Sequence, residues 1–169
     1  METRKAIAGD ERPLLDLFSA LAAETDFMLF EPEERHITLE EQADLIDSIS
    51  HSVNRLLLVA VEEEKDEEKI IGFLGATGGS SNRSRYTASF VLGVLKAHWG
   101  RNVGKSLLLG LEDWATQREF HRLELTVVET NSRAISLYVS NGYEVEGVRR
   151  SSMKVNNEFV NEVYMSKLI

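Results

Sequence analysis

The chain has 169 residues, 43% of them hydrophobic and none of them cysteine. That is the size of one domain with a full core, and it excludes disulfides, thiolate metal sites and a cysteine nucleophile. A net charge of -9 argues against a nucleic-acid surface, which needs a basic footprint, and favours a cationic substrate. No stretch reaches the length of a membrane span, and Met1 to Ile7 lacks an apolar run of signal-peptide length, so a cytoplasmic protein that does not engage a membrane is expected.

In chain order, Thr3 to Ile7 reads as a short strand and Glu11 to Ala23 as a helix with Leu14, Phe18, Leu21 and Ala22 on one side. Asp26 to Glu34 reads as an exposed loop. Thr38-Leu-Glu-Glu41 is a capping box, and the helix that it opens carries Leu39, Ala43, Ile46 and Ser50 at helical spacing. Strands are expected at Arg55–Glu62, Lys69–Gly78 and Arg85–Leu95. The charge run Glu62 to Lys69 reads as a solvated hairpin loop between the first two, and Gly78 to Ser84 is a loop by composition.

The stretch Trp99-Gly-Arg-Asn-Val-Gly-Lys-Ser106 follows an apolar strand, Phe90 to Leu95, and opens a helix with Leu107, Leu108, Leu111, Trp114 and Ala115 on one face. At such a junction the first helical turn leaves backbone N–H groups unpaired, and with the helix dipole these bind an anion. Gly100 and Gly104 let the backbone approach that anion closely. A nucleotide-hydrolase P-loop is disfavoured by count: it needs four residues between its glycines, and here Arg101, Asn102 and Val103 are only three. Nor does the strand Leu123 to Val128 run into a metal-holding aspartate; it meets Glu129, Thr130 and Asn131. His36, His51, His98 and His121 show no metal-ligand spacing, so no metal is expected; His98, beside the cradle, is the histidine to test.

After that strand come a short helix, Ser132 to Ser140, and the turn Asn141-Gly-Tyr143. Glu144–Lys154 and Glu158–Leu168 then form a closing hairpin around Asn156-Asn157. Asn131, Ala134, Leu137, Tyr138, Gly142 and Tyr143 stand at the spacing Asn-x-x-Ala-x-x-Leu-Tyr-x-x-x-Gly-Tyr. In this the chain resembles the GCN5-related N-acetyltransferase (GNAT) superfamily, strongly over residues 85 to 168 and by element order before that. The resemblance implies one domain over residues 1–169 with that superfamily's α/β (α+β) fold: a mixed, mostly antiparallel central sheet of about seven strands with about four helices. Against the usual loop, Arg/Gln-x-x-Gly-x-Gly/Ala, the chain has Trp99 for the first residue and Asn102 for the first glycine. Backbone amides do the ligating, and Asn is the non-glycine residue that best tolerates a left-handed conformation.

The resemblance further implies acetyl-CoA as co-substrate, with no metal. The cofactor-binding set it implies is Leu92, Gly93 and Val94, through main-chain groups of a splayed strand, the loop Trp99, Gly100, Arg101, Asn102, Val103, Gly104, Lys105 and Ser106, and Asn131 and Tyr138. Arg101 and Lys105 read either as charge-assisted phosphate contacts or as solvated helix-start residues. Asn131 reads as a helix cap, a pantetheine contact, or both. Tyr138 is the expected catalytic general acid for the leaving thiolate, against a core-aromatic alternative. Many relatives carry a Glu on the strand before the loop, and that position is Ser89 here, so the base stays open among Glu129, Glu31 and a water chain. The absence of cysteine excludes an acetyl-cysteine route. The leading activity is acetylation of a small-molecule or amino-acid-like primary amine, with Glu31, Glu33 and Glu34 guiding the amine or simply exposed. Protein N-terminal or lysine acetylation, and an acetyl-CoA sensor without chemistry, are the alternatives. A homodimer is the expected assembly.

Overall fold

The computed structural model describes residues 1–64 and 67–169. Its elements run β1 (Glu2–Lys5), α1 (Glu11–Glu24), α2 (Leu39–Ser50), β2 (Arg55–Glu64), β3 (Glu67–Gly78), β4 (Thr87–Val94), a 3₁₀ turn (Lys96–His98), α3 (Val103–Gln117), β5 (Arg122–Val128), α4 (Ser132–Ser140), β6 (Glu144–Val155) and β7 (Glu158–Leu168). The strands form one seven-stranded sheet in the order β1-β2-β3-β4-β5-β7-β6. All neighbours are antiparallel except β4 and β5. This is the mixed, mostly antiparallel sheet with four helices that the family resemblance implies.

Each sheet face has its own apolar cluster. One packs Leu107, Leu108 and Leu111 of α3 and Tyr138 of α4 against Leu74, Phe90, Leu123 and Leu125. The other packs Leu14, Leu17 and Leu21 of α1 and Ile46 of α2 against Leu57, Val59 and Phe73. Burial of these aliphatic side chains, at about 1.5–3 kcal/mol each, is what holds the helices on the sheet.

Several element ends agree with local chemistry. The Thr38 hydroxyl accepts from the Glu41 N–H at 3.1 Å and the Glu41 carboxylate accepts from the Thr38 N–H at 2.8 Å, so the capping box forms on both sides. At the hairpin tip Asn156 and Asn157 both have positive φ, 48° and 66°, as a two-residue type I′ turn requires.

Three expectations are corrected. The inward stripe of α2 is Gln42 and Ile46, with Ile49 packed beside them, rather than one running from Leu39; Leu39 is 41% exposed. Strand β1 stops at Lys5, because the Asp10 carboxylate takes the Ile7 N–H at 2.8 Å and turns the chain into α1. The charge run is not simply a loop. Strand β2 continues to Glu64 and β3 starts at Glu67, in register Glu63 to Glu68; Lys65 and Asp66 lie outside the described residues.

Candidate active site

The parallel join of β4 and β5 is short. Thr87, Ala88 and Ser89 pair with Arg122, Leu123 and Glu124, and there the ladder ends. Phe90 to Val94 remain paired to β3, and Leu125 to Val128 to β7, so among the described residues the facing edges of the two strands have no strand partner beyond that rung. A wedge therefore opens in the middle of the sheet, and unpaired backbone groups at its lips need partners.

The wedge runs into a continuous cleft of about 1990 Å³, lined among others by Leu92, Gly93, Val94, Asn102, Gly104, Asn131 and Tyr138. That exceeds the usual range for one drug-sized ligand and suits two bound molecules. Phosphate-cradle geometry stands at one end. Gly100 (φ 77°) and Asn102 (φ 63°, ψ 12°) are both left-handed, and α3 starts one residue later, at Val103. The Asn102 side chain does not cap the helix. The first backbone bond is donated by the Ser106 N–H to the Asn102 carbonyl at 3.0 Å, so the N–H groups of Val103, Gly104 and Lys105 precede it and point out of the helix end.

The loop side chains divide. Lys105 is exposed and lines the cleft. Arg101 turns away: its guanidinium pairs with Glu62 and donates to His98 Nδ1 at 2.9 Å, and the Arg101 contact holds the Glu62 carboxyl below its usual range. The Ser106 hydroxyl meets the Thr3 hydroxyl at 2.8 Å instead of the cradle. Trp99 donates from its indole N–H to the Val94 carbonyl at 2.7 Å and carries the Arg133 guanidinium 5.0 Å above its ring, so it buttresses the strand end. Gly104 serves packing as well as access. A Cβ there would lie 2.7 Å from the Leu137 Cδ2 methyl, so any other residue would make that side chain shift. A Cβ on Gly100 would meet nothing, and its role is its positive φ.

At the wedge itself, Tyr138 is 5% exposed and its ring meets Phe90 and Tyr143 edge-on at 6.0 and 5.8 Å. Burial pushes its phenol well above the ordinary tyrosine range, so it stays protonated at neutral pH. Asn131 caps α4, its side-chain oxygen accepting from the Ala134 N–H at 3.2 Å, while lining the cleft. Ser89 lines the cleft too, opposite Glu124 on the last rung; the Glu124 carboxylate takes the Arg122 Nε–H at 2.8 Å. Of the two carboxylates raised from sequence, Glu31 lies in the cleft wall, and Glu129 is turned to the Asn161 amide at 3.0 Å. Sequence reasoning missed Glu124, Arg133, Arg35 and Gln42 as cleft residues, because only the sheet register and long-range packing bring them there.

A family model described as "Acetyltransferase (GNAT) family" matches residues 18–143. The chain belongs to the GNAT acetyltransferase family. Among its GNAT relatives, an acetyltransferase from Streptococcus pneumoniae superposes with a TM-score of 0.93 at 26% identity, covering 99% of both chains. The yncA protein of Salmonella typhimurium, solved with its cofactor acetyl-CoA, superposes with a TM-score of 0.84 over 99% of this chain and 93% of its own, at 20% identity that speaks for the fold alone. A mycothiol acetyltransferase from Jonesia denitrificans is 29% identical over 131 residues, which is 78% of this chain but 40% of that protein. The chain thus spans about two-fifths of that relative's length. Among the described residues no cluster of His, Asp and Glu could hold a metal ion, and no helix is long and apolar enough to cross a membrane.

Proposed function

We propose that this GNAT protein, read as one catalytic domain over residues 1–169, transfers the acetyl group of acetyl-CoA directly to a primary amine of a small or amino-acid-like molecule. The observation that carries the reading is the wedge after the Ser89 to Glu124 rung, with the uncapped start of α3 at its mouth. Both features fit an elongated, phosphate-bearing ligand with an amide arm. The N–H groups of Val103, Gly104 and Lys105 hold the phosphates, and the ammonium of Lys105 adds charge. Unpaired main-chain groups of Leu92, Gly93 and Val94 bind the amide arm as an added strand would. Bound acetyl-CoA supplies the activated thioester.

The chain's own groups then divide the proton work. Tyr138 keeps a proton on its hydroxyl for the departing sulfur, and the apolar rings around it exclude water. Glu124, on the last rung and facing the cleft, takes the proton of the incoming amine in place of the carboxylate that Ser89 lacks. The same reading includes a homodimer, supported by the exposed apolar side chains Val145, Val148 and Phe159 on the terminal hairpin.

Calorimetric titration with acetyl-CoA and, separately, with magnesium-ATP, followed by a free-thiol release assay over amines, amino acids and peptides, tests it. Acetyl-CoA binding with amine-dependent thiol release is the expected result. Binding without release on any amine would make the protein a sensor, and binding of ATP alone would overturn the reading.

A further inference from the structure

Resting on that acetyltransferase reading, we infer that the acceptor carries a carboxylate and that Arg35 receives it. Arg35 lies between α1 and α2 and lines the cleft on the face opposite α3 and α4. Its guanidinium sits 4.3 Å from the centre of the Phe18 ring and 6.0 Å from that of Phe30. It is half-buried, and among the described residues no carboxylate pairs with it. By contrast, Arg149 in the same cleft is taken by Glu162 at 2.9 Å, and Arg122 by Glu124 and Glu146. Burial lowers the affinity of Arg35 for its proton, the sign of a desolvated cation lacking an anion. Held flat on an aromatic ring, a guanidinium keeps its fork of N–H donors free for a bidentate carboxylate.

A second polar group lining the cleft is unpaired. Gln42 is fully buried and lines the cleft, yet among the described residues neither its amide nitrogen nor its amide oxygen has a hydrogen-bond partner. Leaving such a group unpaired costs about 1–3 kcal/mol, which is recovered when a polar ligand enters. Position favours the acceptor over the cofactor. Phe18 meets Phe73 edge-on at 4.8 Å, and a Cβ on Gly93 would lie 2.8 Å from the Phe73 ring. Two rings, Phe18 and Phe73, thus lie between Arg35 and the splayed strand at the wedge. Phe27, Leu29 and Phe30, all exposed at the cleft wall, suit an apolar side chain on the acceptor. The acceptor class is thus an amino acid with an apolar side chain, whose free carboxylate a peptide N-terminus lacks.

The test compares L-phenylalanine, L-leucine and L-methionine with their carboxamides and with short peptides, by acetyl-CoA-dependent thiol release. For the wild-type protein, kcat/KM is expected to favour at least one free acid over its amide by tenfold or more, because a site built around a charged donor rejects the analogue lacking the anion. In Arg35→Met that preference collapses to within about threefold, with acetyl-CoA affinity by calorimetry as the control for folding. Gln42→Leu raises KM for the favoured acid, whereas a purely structural Gln42 would leave it unmoved. Thiol release on acids, amides and peptides alike, or a preference that survives in Arg35→Met, overturns the inference while the acetyltransferase stands. Failure to bind acetyl-CoA overturns both. Where Arg35→Met does not fold, Arg35→Gln takes its place, and a wild-type acid-to-amide ratio near one overturns the inference by itself.

Discussion

Tyr138 and Tyr143 are neighbours with different fates. Their rings lie 5.8 Å apart and both phenols are pushed up by burial, yet only Tyr138 lines the cleft, and the Tyr143 hydroxyl is buried with no partner among the described residues. A buried phenol with no base beside it keeps its proton until an anion forms next to it, which is the timing that a leaving thiolate requires. Tyr138→Phe is expected to lower kcat at least tenfold under conditions where chemistry limits the rate, with acetyl-CoA affinity retained. An unchanged kcat would remove Tyr138 from the proton path. Tyr143→Phe deletes an orphaned hydroxyl and is expected to keep both turnover and thermal stability.

Among the elements, the entry to α3 depends on one backbone conformation. Asn102 holds the left-handed region just before Val103, and an ordinary L-residue there costs roughly 1–2 kcal/mol. Asn102→Ala is expected to lower stability in denaturant by about 1 kcal/mol and to weaken acetyl-CoA binding, whereas Asn102→Gly stays within a few tenths of wild type. Equal losses in both variants would show that the Asn side chain, not the backbone, matters. This turn was legible in the sequence, as were the Thr38 capping box and the Asn156–Asn157 hairpin, because each rests on chemistry within four residues. The phase of α2 was not. Leu39, Ala43, Ile46 and Ser50 make a plausible helical stripe, and packing against α1 and β2 keeps Ile46 of these and adds Gln42. Nor do the carboxylates of Glu62 to Glu64 reveal a strand, since a strand with one wet face carries charge as readily as a loop does. Glu62 finds its purpose 39 residues away, at Arg101. Within the candidate site, the left-handed start of α3 could be placed from local residues and Tyr138 from the family resemblance; the cleft positions of Arg35, Gln42 and Glu124 needed the tertiary fold.

For the whole molecule, charge pairing ties the second half of the sheet together and sets its response to acid. Arg122 on β5 bonds Glu146 on β6 at 2.7 Å, and Ser166 on β7 donates to the same carboxylate at 2.7 Å. Arg122 first, and Ser166 after it, hold the Glu146 carboxyl down from 4.5 to about 2. A carboxyl whose folded-state value is depressed stabilises the protein above its unfolded value and loses that contribution as pH falls through the folded one. The thermal midpoint is therefore expected to drop between pH 4.5 and 2, and Arg122→Gln to start lower at pH 6 but fall less across that window. Parallel curves for the two proteins would refute the linkage. The wedge has a consequence at this scale as well. Among the described residues only three strand pairs, at Thr87 to Ser89, join β1 to β4 with β5 to β7, so the sheet has a seam where a continuous ladder would otherwise run. A ligand that bonds to both lips acts as mortar along this seam. Its concentration then sets, by mass action, how firmly the terminal hairpin is held to the rest of the protein, although the hairpin tip lies far along the chain from the start of α3.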